Sequence, residues 1–250
     1  MINRSTIMIL TFASMMLAVS PINAKEPYTR IDAAIDSPFR TERDRSLDES
    51  RQPGKFLQFL ALKNGDKVAE INAGPGYNAR LLATIVGNEG RVYASNADFV
   101  LKLFSGLNER LEDSVVNIYN IQVSRQANSQ LDHPEILDMA ILNNNYHDLH
   151  WQKIDVLAFN QAVFNALRPG GYFVVGDHKA KQGSGTRDVA TLHRIDADTV
   201  ISEIEAAGFV LESSASFLSN AKDDLTLPAF DPSVRGRTDR FLLKFKKVER

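Results

Sequence analysis

The sequence contains no cysteine. It therefore forms no disulfide, offers no thiolate nucleophile and has no site for lipoprotein-type attachment. It also lacks an excess of either charge. The 29 Lys and Arg stand against 31 Asp and Glu, a formal net charge of -2, so no nucleic acid is expected as a partner. Apolar runs are short. The longest, Ile7 to Val19, falls below what a bilayer crossing needs, and no stable transmembrane segment is expected in the mature chain. No two histidines stand at H-x-x-x-H spacing, the pattern that would place a metal pair on one helix face.

What is present begins with a targeting pattern. Arg4, the apolar run and Ser20-Pro-Ile-Asn-Ala24 read as a signal peptide over residues 1–24, cut ahead of Lys25, and predict an exported, periplasmic protein. Residues 25–52 form a polar, helical extension in which Arg40 to Arg45 reads as a solvated charged face. Residues 53–250 are long enough for one α/β domain.

The domain is organised around Lys67-Val-Ala-Glu-Ile-Asn-Ala-Gly-Pro-Gly76, a short apolar strand that breaks at two glycines and continues into a helix carrying Leu81, Leu82, Ile85 and Val86. Without side chains, Gly74 and Gly76 let the backbone approach a ligand, and the helix start offers unpaired amides. Glu70 suits a cationic amino group better than a pyrophosphate, and the G-x-G-x-x-G dinucleotide spacing is absent. The turn therefore favours an S-adenosylmethionine (SAM) site, with a plain tight bend as the alternative.

Further strands follow at Arg91 to Ser95, within Val115 to Val123, at Ile136 to Leu142 and at Tyr172 to Val175. Helices are expected from Phe99 to Leu111 and from about Trp151 to Leu167, and Ser124 to Pro134 reads as a loop. Asp198 is placed as the cap of the last helix. Phe209 to Ser213 and Arg240 to Phe245 then have no helix between them, which predicts an antiparallel pair joined by a long flap.

Glu70 to Gly76, Tyr146-His-Asp148, Leu167-Arg-Pro-Gly-Gly171, His193-Arg-Ile-Asp196 and the terminal strand pair together resemble class I SAM-dependent methyltransferases, and more narrowly the exported bacterial ones, over roughly Pro53 to Lys247. The resemblance implies a Rossmann-like α/β sheet of seven strands, mostly parallel with an antiparallel last strand. It implies SAM as cofactor and methyl transfer to a small-molecule acceptor. Donor contacts are expected from Glu70, Asn72, Gly74, Gly76, Tyr77, Asn96 and Asn143. Two positions depart from the family pattern. Asn72 stands at the first glycine of D/E-x-G-x-G-x-G, and Asn96 stands where an acid commonly holds the ribose, with Asp98 as its nearby substitute. These departures keep open a second class, a catalytically silent exported ligand-binding or interaction protein with the same fold.

Ligands in such sheets bind beyond the carboxyl ends of the strands. His147, Asp148, Asp177, His178 and His193 fall in loops at that edge and are the candidate catalytic residues, with His147 first and His178 second as proton acceptor. Tyr146 and Phe217 are candidate shaping residues, and Arg187 and Arg194 could hold an anionic acceptor. The same histidines and aspartates are chemically suited to a metal, but they lie on three separate loops, and no metal site is expected from spacing.

Overall fold

A computed structural model describes residues 29–126 and 136–248. The predicted signal peptide lies outside the described residues. Four short helices precede the first strand: α1 (Arg30–Ile35), α2 (Glu42–Ser46), α3 (Asp48–Arg51) and α4 (Pro53–Leu60). There follow β1 (Lys67–Ile71), α5 (Tyr77–Val86), β2 (Arg91–Ala97), α6 (Asp98–Leu103), α7 (Leu107–Val115), β3 (Ile121–Gln126) and β4 (Leu137–Asn143). The chain continues through α8 (Tyr146–Trp151), α9 (Val156–Ala166), β5 (Leu167–His178), α10 (Ala197–Ala206), β6 (Phe209–Ala215) and β7 (Arg240–Lys247).

The strands form one seven-stranded sheet in the order β3-β2-β1-β4-β5-β7-β6. All are parallel except β7, which runs antiparallel to both β5 and β6. This is the expected architecture. The period-two rule assigns each strand residue to a face. Val68, Met139, Ile141, Val174 and Leu242 pack with α1, α4 and α5, while Ala69, Ala140, Leu142, Phe173 and Leu243 pack with α8, α9 and α10. With both faces covered, the central strand β4 is apolar over most of its length, whereas the edge strands β3 and β6 carry polar residues. Strand order reverses between β1 and β4, so the crevice for a ligand opens beyond their carboxyl ends. Among the described residues no helix is long and apolar enough to cross a membrane.

Several local expectations change. The helix expected over Phe99 to Leu111 is two helices, interrupted where Gly106 adopts φ +68°. Val115 ends α7, so β3 starts only at Ile121 and takes up Ser124 to Gln126, which had read as loop. The helix expected from Trp151 starts later, as α9 at Val156, because Asp155 caps it by accepting the Ala158 amide at 2.9 Å, and Trp151 instead ends the separate helix α8. Arg168-Pro-Gly-Gly171, read as a helix stop, is already the start of β5 and sits beside a register shift between Leu137 and Met139. The cap of α10 is Asp196, which accepts the Asp198 amide.

The largest change is at Arg40 to Arg45. Arg40 and Asp44 are buried. Arg40 donates to the Ile35 carbonyl at 2.8 Å and pairs with Asp48, while Asp44 receives a two-pronged bond from Arg80 of α5, at 2.8 and 2.6 Å. Residues 29–52 thus brace the helix that follows the glycine turn instead of presenting a solvated face. Composition could not show this, because the partner that lets Asp44 be buried, Arg80, lies 36 residues away on α5.

Candidate functional site

The glycine turn is built by two amides that brace each other's strand ends. Asn72, at the end of β1, has φ +57°, a left-handed conformation that asparagine tolerates better than most side chains. Its Oδ1 accepts the Ala97 amide at 2.9 Å. Asn96, at the end of β2, is fully buried; it accepts from the Gly74 amide at 2.9 Å and donates to the Gly74 carbonyl at 3.1 Å. Asn96, expected to hold the ribose, thus has both its oxygen and its nitrogen engaged within the turn and does not line the cleft described below. Asp98 remains the exposed acid at that edge.

The two glycines do different work. A Cβ on Gly76 would stand 3.0 Å from Arg80, Leu111 and Ser114, whereas one on Gly74 would meet no protein atom within 4 Å. Gly76 is needed for packing. Gly74 faces open space.

That space is a cleft of about 1430 Å³ that reaches from Glu70, Gly74 and Tyr77 past Asn143 to Asp148, His178 and His193. Glu70 is buried at its floor, and its Oε2 has no hydrogen-bond partner among the described residues. Burial pushes its pKa up to about 7, against the pull of Asn78, Arg51 and Arg80. Tyr77 donates to Asp48 at 2.7 Å and lies under the Arg51 guanidinium, 4.3 Å from the ring centroid. Asn143 is paired with Gly176 across β4 and β5, where a Cβ would collide with its Oδ1 at 2.5 Å.

The second end of the cleft gathers the histidines. His147 is fully buried. Its backbone amide and Nδ1 both bond to Asp177, each at 2.8 Å, and its Nε2 lies 3.2 Å from Asp148 Oδ1. Burial opposes charge on this ring, but Asp177 and Asp148 outweigh it and raise the pKa to about 10. An imidazolium has no lone pair for a proton, and His147 stands behind the cleft wall, so this arrangement does not present it as the acceptor first expected. His178 lines the cleft instead, bonded to Thr238 at 2.8 Å. Burial, with the positive neighbours His147, Arg240 and Arg194, brings its pKa down to about 4 against the attraction of Asp177, and the ring is neutral. His193 is half-buried with φ +51°, its ring 5.1 Å from Trp151 and 5.0 Å from Phe230.

Other candidates are structural. Tyr146 is buried, donating to Glu203 at 3.1 Å and accepting from Asn160 at 2.8 Å. Arg194 is fully buried and paired with Asp223 at 2.8 Å, while it also bonds the Leu227 carbonyl at 2.9 Å. It fastens the connection between β6 and β7, which places Phe217 and Phe230 on the cleft. Arg187 is exposed and pairs with its neighbour Asp188. Arg51 and Arg240, also on the cleft wall, were missed, because nothing in their sequence context marks them as buried cations.

A protein-family model described as protein-L-isoaspartate(D-aspartate) O-methyltransferase (PCMT) matches residues 15–126. The protein-L-isoaspartate O-methyltransferase of Fervidobacterium nodosum is 34% identical over 61 residues, which is 24% of this chain and 31% of that protein. That of Methanococcus aeolicus is 37% identical over 60 residues, covering 24% and 28%. The chain thus aligns with less than a third of the length of these relatives. Among solved structures, a SAM-dependent methyltransferase from Aquifex aeolicus superposes with a TM-score of 0.60 at 19% identity, covering 82% of this chain and 97% of that one. The [4+2]-cyclase SpnF superposes with a TM-score of 0.58 at 15% identity, covering 82% and 80%. Sheet order, glycine turn and these likenesses together give the chain the fold of the class I SAM-dependent methyltransferases, and its glycine-turn half is similar in sequence to the protein-L-isoaspartate O-methyltransferases.

Proposed function

We propose that this chain binds SAM at the Gly74 turn and transfers its methyl group to a small-molecule acceptor, as an exported, periplasmic enzyme. The observation that carries the reading is the conformation of Gly74: its φ of +58° and the empty space where a Cβ would stand leave room for a ligand at the carboxyl end of β1. The unpartnered Glu70 oxygen fits the amino group of the donor's methionine end. SAM, when bound, supplies a methyl group already activated on a sulfonium. The residues then have to orient and to exclude water. Gly74 lets the donor lie against the backbone, Tyr77 and Asn143 shape the space between the two ends of the cleft, and Phe217 and Phe230 cover it. Neutral His178 stands beside the acceptor end, where it can take a hydrogen bond from an acceptor hydroxyl or amine.

The match to the isoaspartate methyltransferases ends at residue 126, before β4, α8 and the histidine cluster. It supports the donor half and leaves the acceptor to the cleft's own chemistry. Residues 1–24 support export by pattern. The test is calorimetric titration with SAM and its demethylated product, for the parent and for Gly74→Val, with a thermal melt of each. Binding lost in a variant that still melts cooperatively supports the reading, and equal affinity in both overturns it. The spent amide of Asn96 favours one alternative, a silent binding protein, which the same titration followed by a methyl-transfer assay separates.

A further inference from the structure

His147 and Asp148 begin α8, and His193 lies in the loop ahead of α10. The fold nevertheless brings one ligand atom from each to within 4.8 Å of the others. We propose that these three side chains bind one divalent transition-metal ion, zinc foremost, through His147 Nε2, Asp148 Oδ1 and a ring nitrogen of His193.

Three observations point to an ion. First, His147 Nε2 and His193 Nδ1 are both buried and have no hydrogen-bond partner among the described residues. His147 Nε2 approaches Asp148 Oδ1 to 3.2 Å without the alignment of a hydrogen bond. Ligands about 2 Å from a tetrahedral zinc stand roughly 3.3 Å apart, which matches this separation. Second, the outer partners are set for metal binding. Asp177 accepts from both Nδ1 and the backbone amide of His147, which leaves Nε2 as the nitrogen that faces an ion, and the ion takes the place of the proton the ring otherwise carries, the carboxylate–histidine–metal arrangement. Asn145 donates to Asp148 Oδ2 at 2.9 Å and leaves Oδ1 for the ion. Third, the geometry is held. Trp151 and Phe230 clamp the His193 ring, and its left-handed backbone is a strained state that packing must maintain.

Two nitrogens and one oxygen, with no thiolate, suit zinc and neighbouring first-row ions. Asp148 and His193 face the cleft, so the remaining coordination positions open toward it and take water or an oxygen of an acceptor. The site stands independently of donor binding at Gly74.

The test uses the full chain, stripped with a chelator, dialysed and titrated with Zn²⁺ by calorimetry and with Co²⁺ by visible absorption. The expected result is one ion per chain, a Co²⁺ spectrum typical of nitrogen and oxygen ligands in low coordination number, and a raised melting temperature. His193→Ala, at the half-buried ligand, is the decisive variant because the fully buried His147 is the one most prone to misfold on replacement. Saturable binding should vanish in His193→Ala, and Asp177→Asn should weaken it roughly 10- to 100-fold. His150→Ala, which removes a nearby ring paired with Glu203 at 3.0 Å, should leave it unchanged. Absence of binding in the parent, or binding that survives His193→Ala in a folded protein, overturns the proposal. SAM titration of the stripped chain reads the donor site separately, so failure of one assignment is distinguishable from failure of the other.

Discussion

Asn96 holds Gly74 by both of its backbone polar groups, accepting from the amide at 2.9 Å and donating to the carbonyl at 3.1 Å. An acid at this position would keep the first bond and lose the second. Asn96→Asp, although it restores the family's residue type, is therefore expected to leave the Gly74 carbonyl without its donor and to bury a charge. The loss of stability should be about 1–3 kcal/mol. Denaturant melts measure it, and SAM affinity should not rise. A stabilised variant with tighter SAM binding would return position 96 to the ribose.

Glu70 makes stability depend on pH in a defined direction. Its carboxyl titrates near 4.5 in the unfolded chain and at about 7 in the fold. The folded state thus holds the proton more tightly, and the contribution is complete below the unfolded value and lost as pH rises through 7. Relative to Glu70→Gln, which does not titrate, the parent should weaken by about 3 kcal/mol between acid and mildly alkaline pH. Melts of both proteins across that range test this, and parallel curves would place the carboxylate in contact with water. A cationic ligand group beside Glu70 would favour its charged form, so SAM binding near neutral pH should release protons, detectable by calorimetry in buffers of different ionisation enthalpy.

The Arg80–Asp44 pair ties the N-terminal helices to α5, with both side chains almost fully buried. Asp44→Ala should cost about 3–5 kcal/mol, because it leaves a buried guanidinium uncompensated. Replacing both residues with apolar side chains of similar volume should recover much of that loss. Double-mutant melts measure the difference. A cost below 1 kcal/mol for Asp44→Ala would mean that water reaches Arg80.

Arg194 and Asp223 fasten the connection that covers the acceptor end of the cleft. Arg194→Ala should leave Asp223 unpaired and the segment around Leu227 loosened. Limited proteolysis should then cut within residues 216–239 faster than in the parent, while the sheet still melts cooperatively. An unchanged cleavage rate would show that Phe217, Leu218 and Ala229 hold the segment by packing alone.

The sheet was legible because its information is local. Val68 to Ile71 and Ile136 to Leu142 are too apolar for anything but strands buried on both faces, and the absence of a helix between β6 and β7 required their antiparallel pairing. Gly74 and Gly76 marked a turn, though their opposite roles did not show: one glycine is forced by Leu111 and Ser114 from α7, and the other is left open by the absence of any neighbour.

The sequence by itself determined the class of fold, the edge of the sheet where chemistry gathers and which histidines and aspartates gather there, since residue type and period decide these within each segment. Only the tertiary structure decided that Arg40 and Asp44 are buried, that Asn96 is consumed by the turn, that His147 lies between two carboxylates and that His193 closes on it from another loop. A charged or polar side chain has no preferred burial of its own. Its environment, its pKa and its available lone pairs are set by whichever partner the fold places within a few ångströms, and those partners come from other elements of the chain.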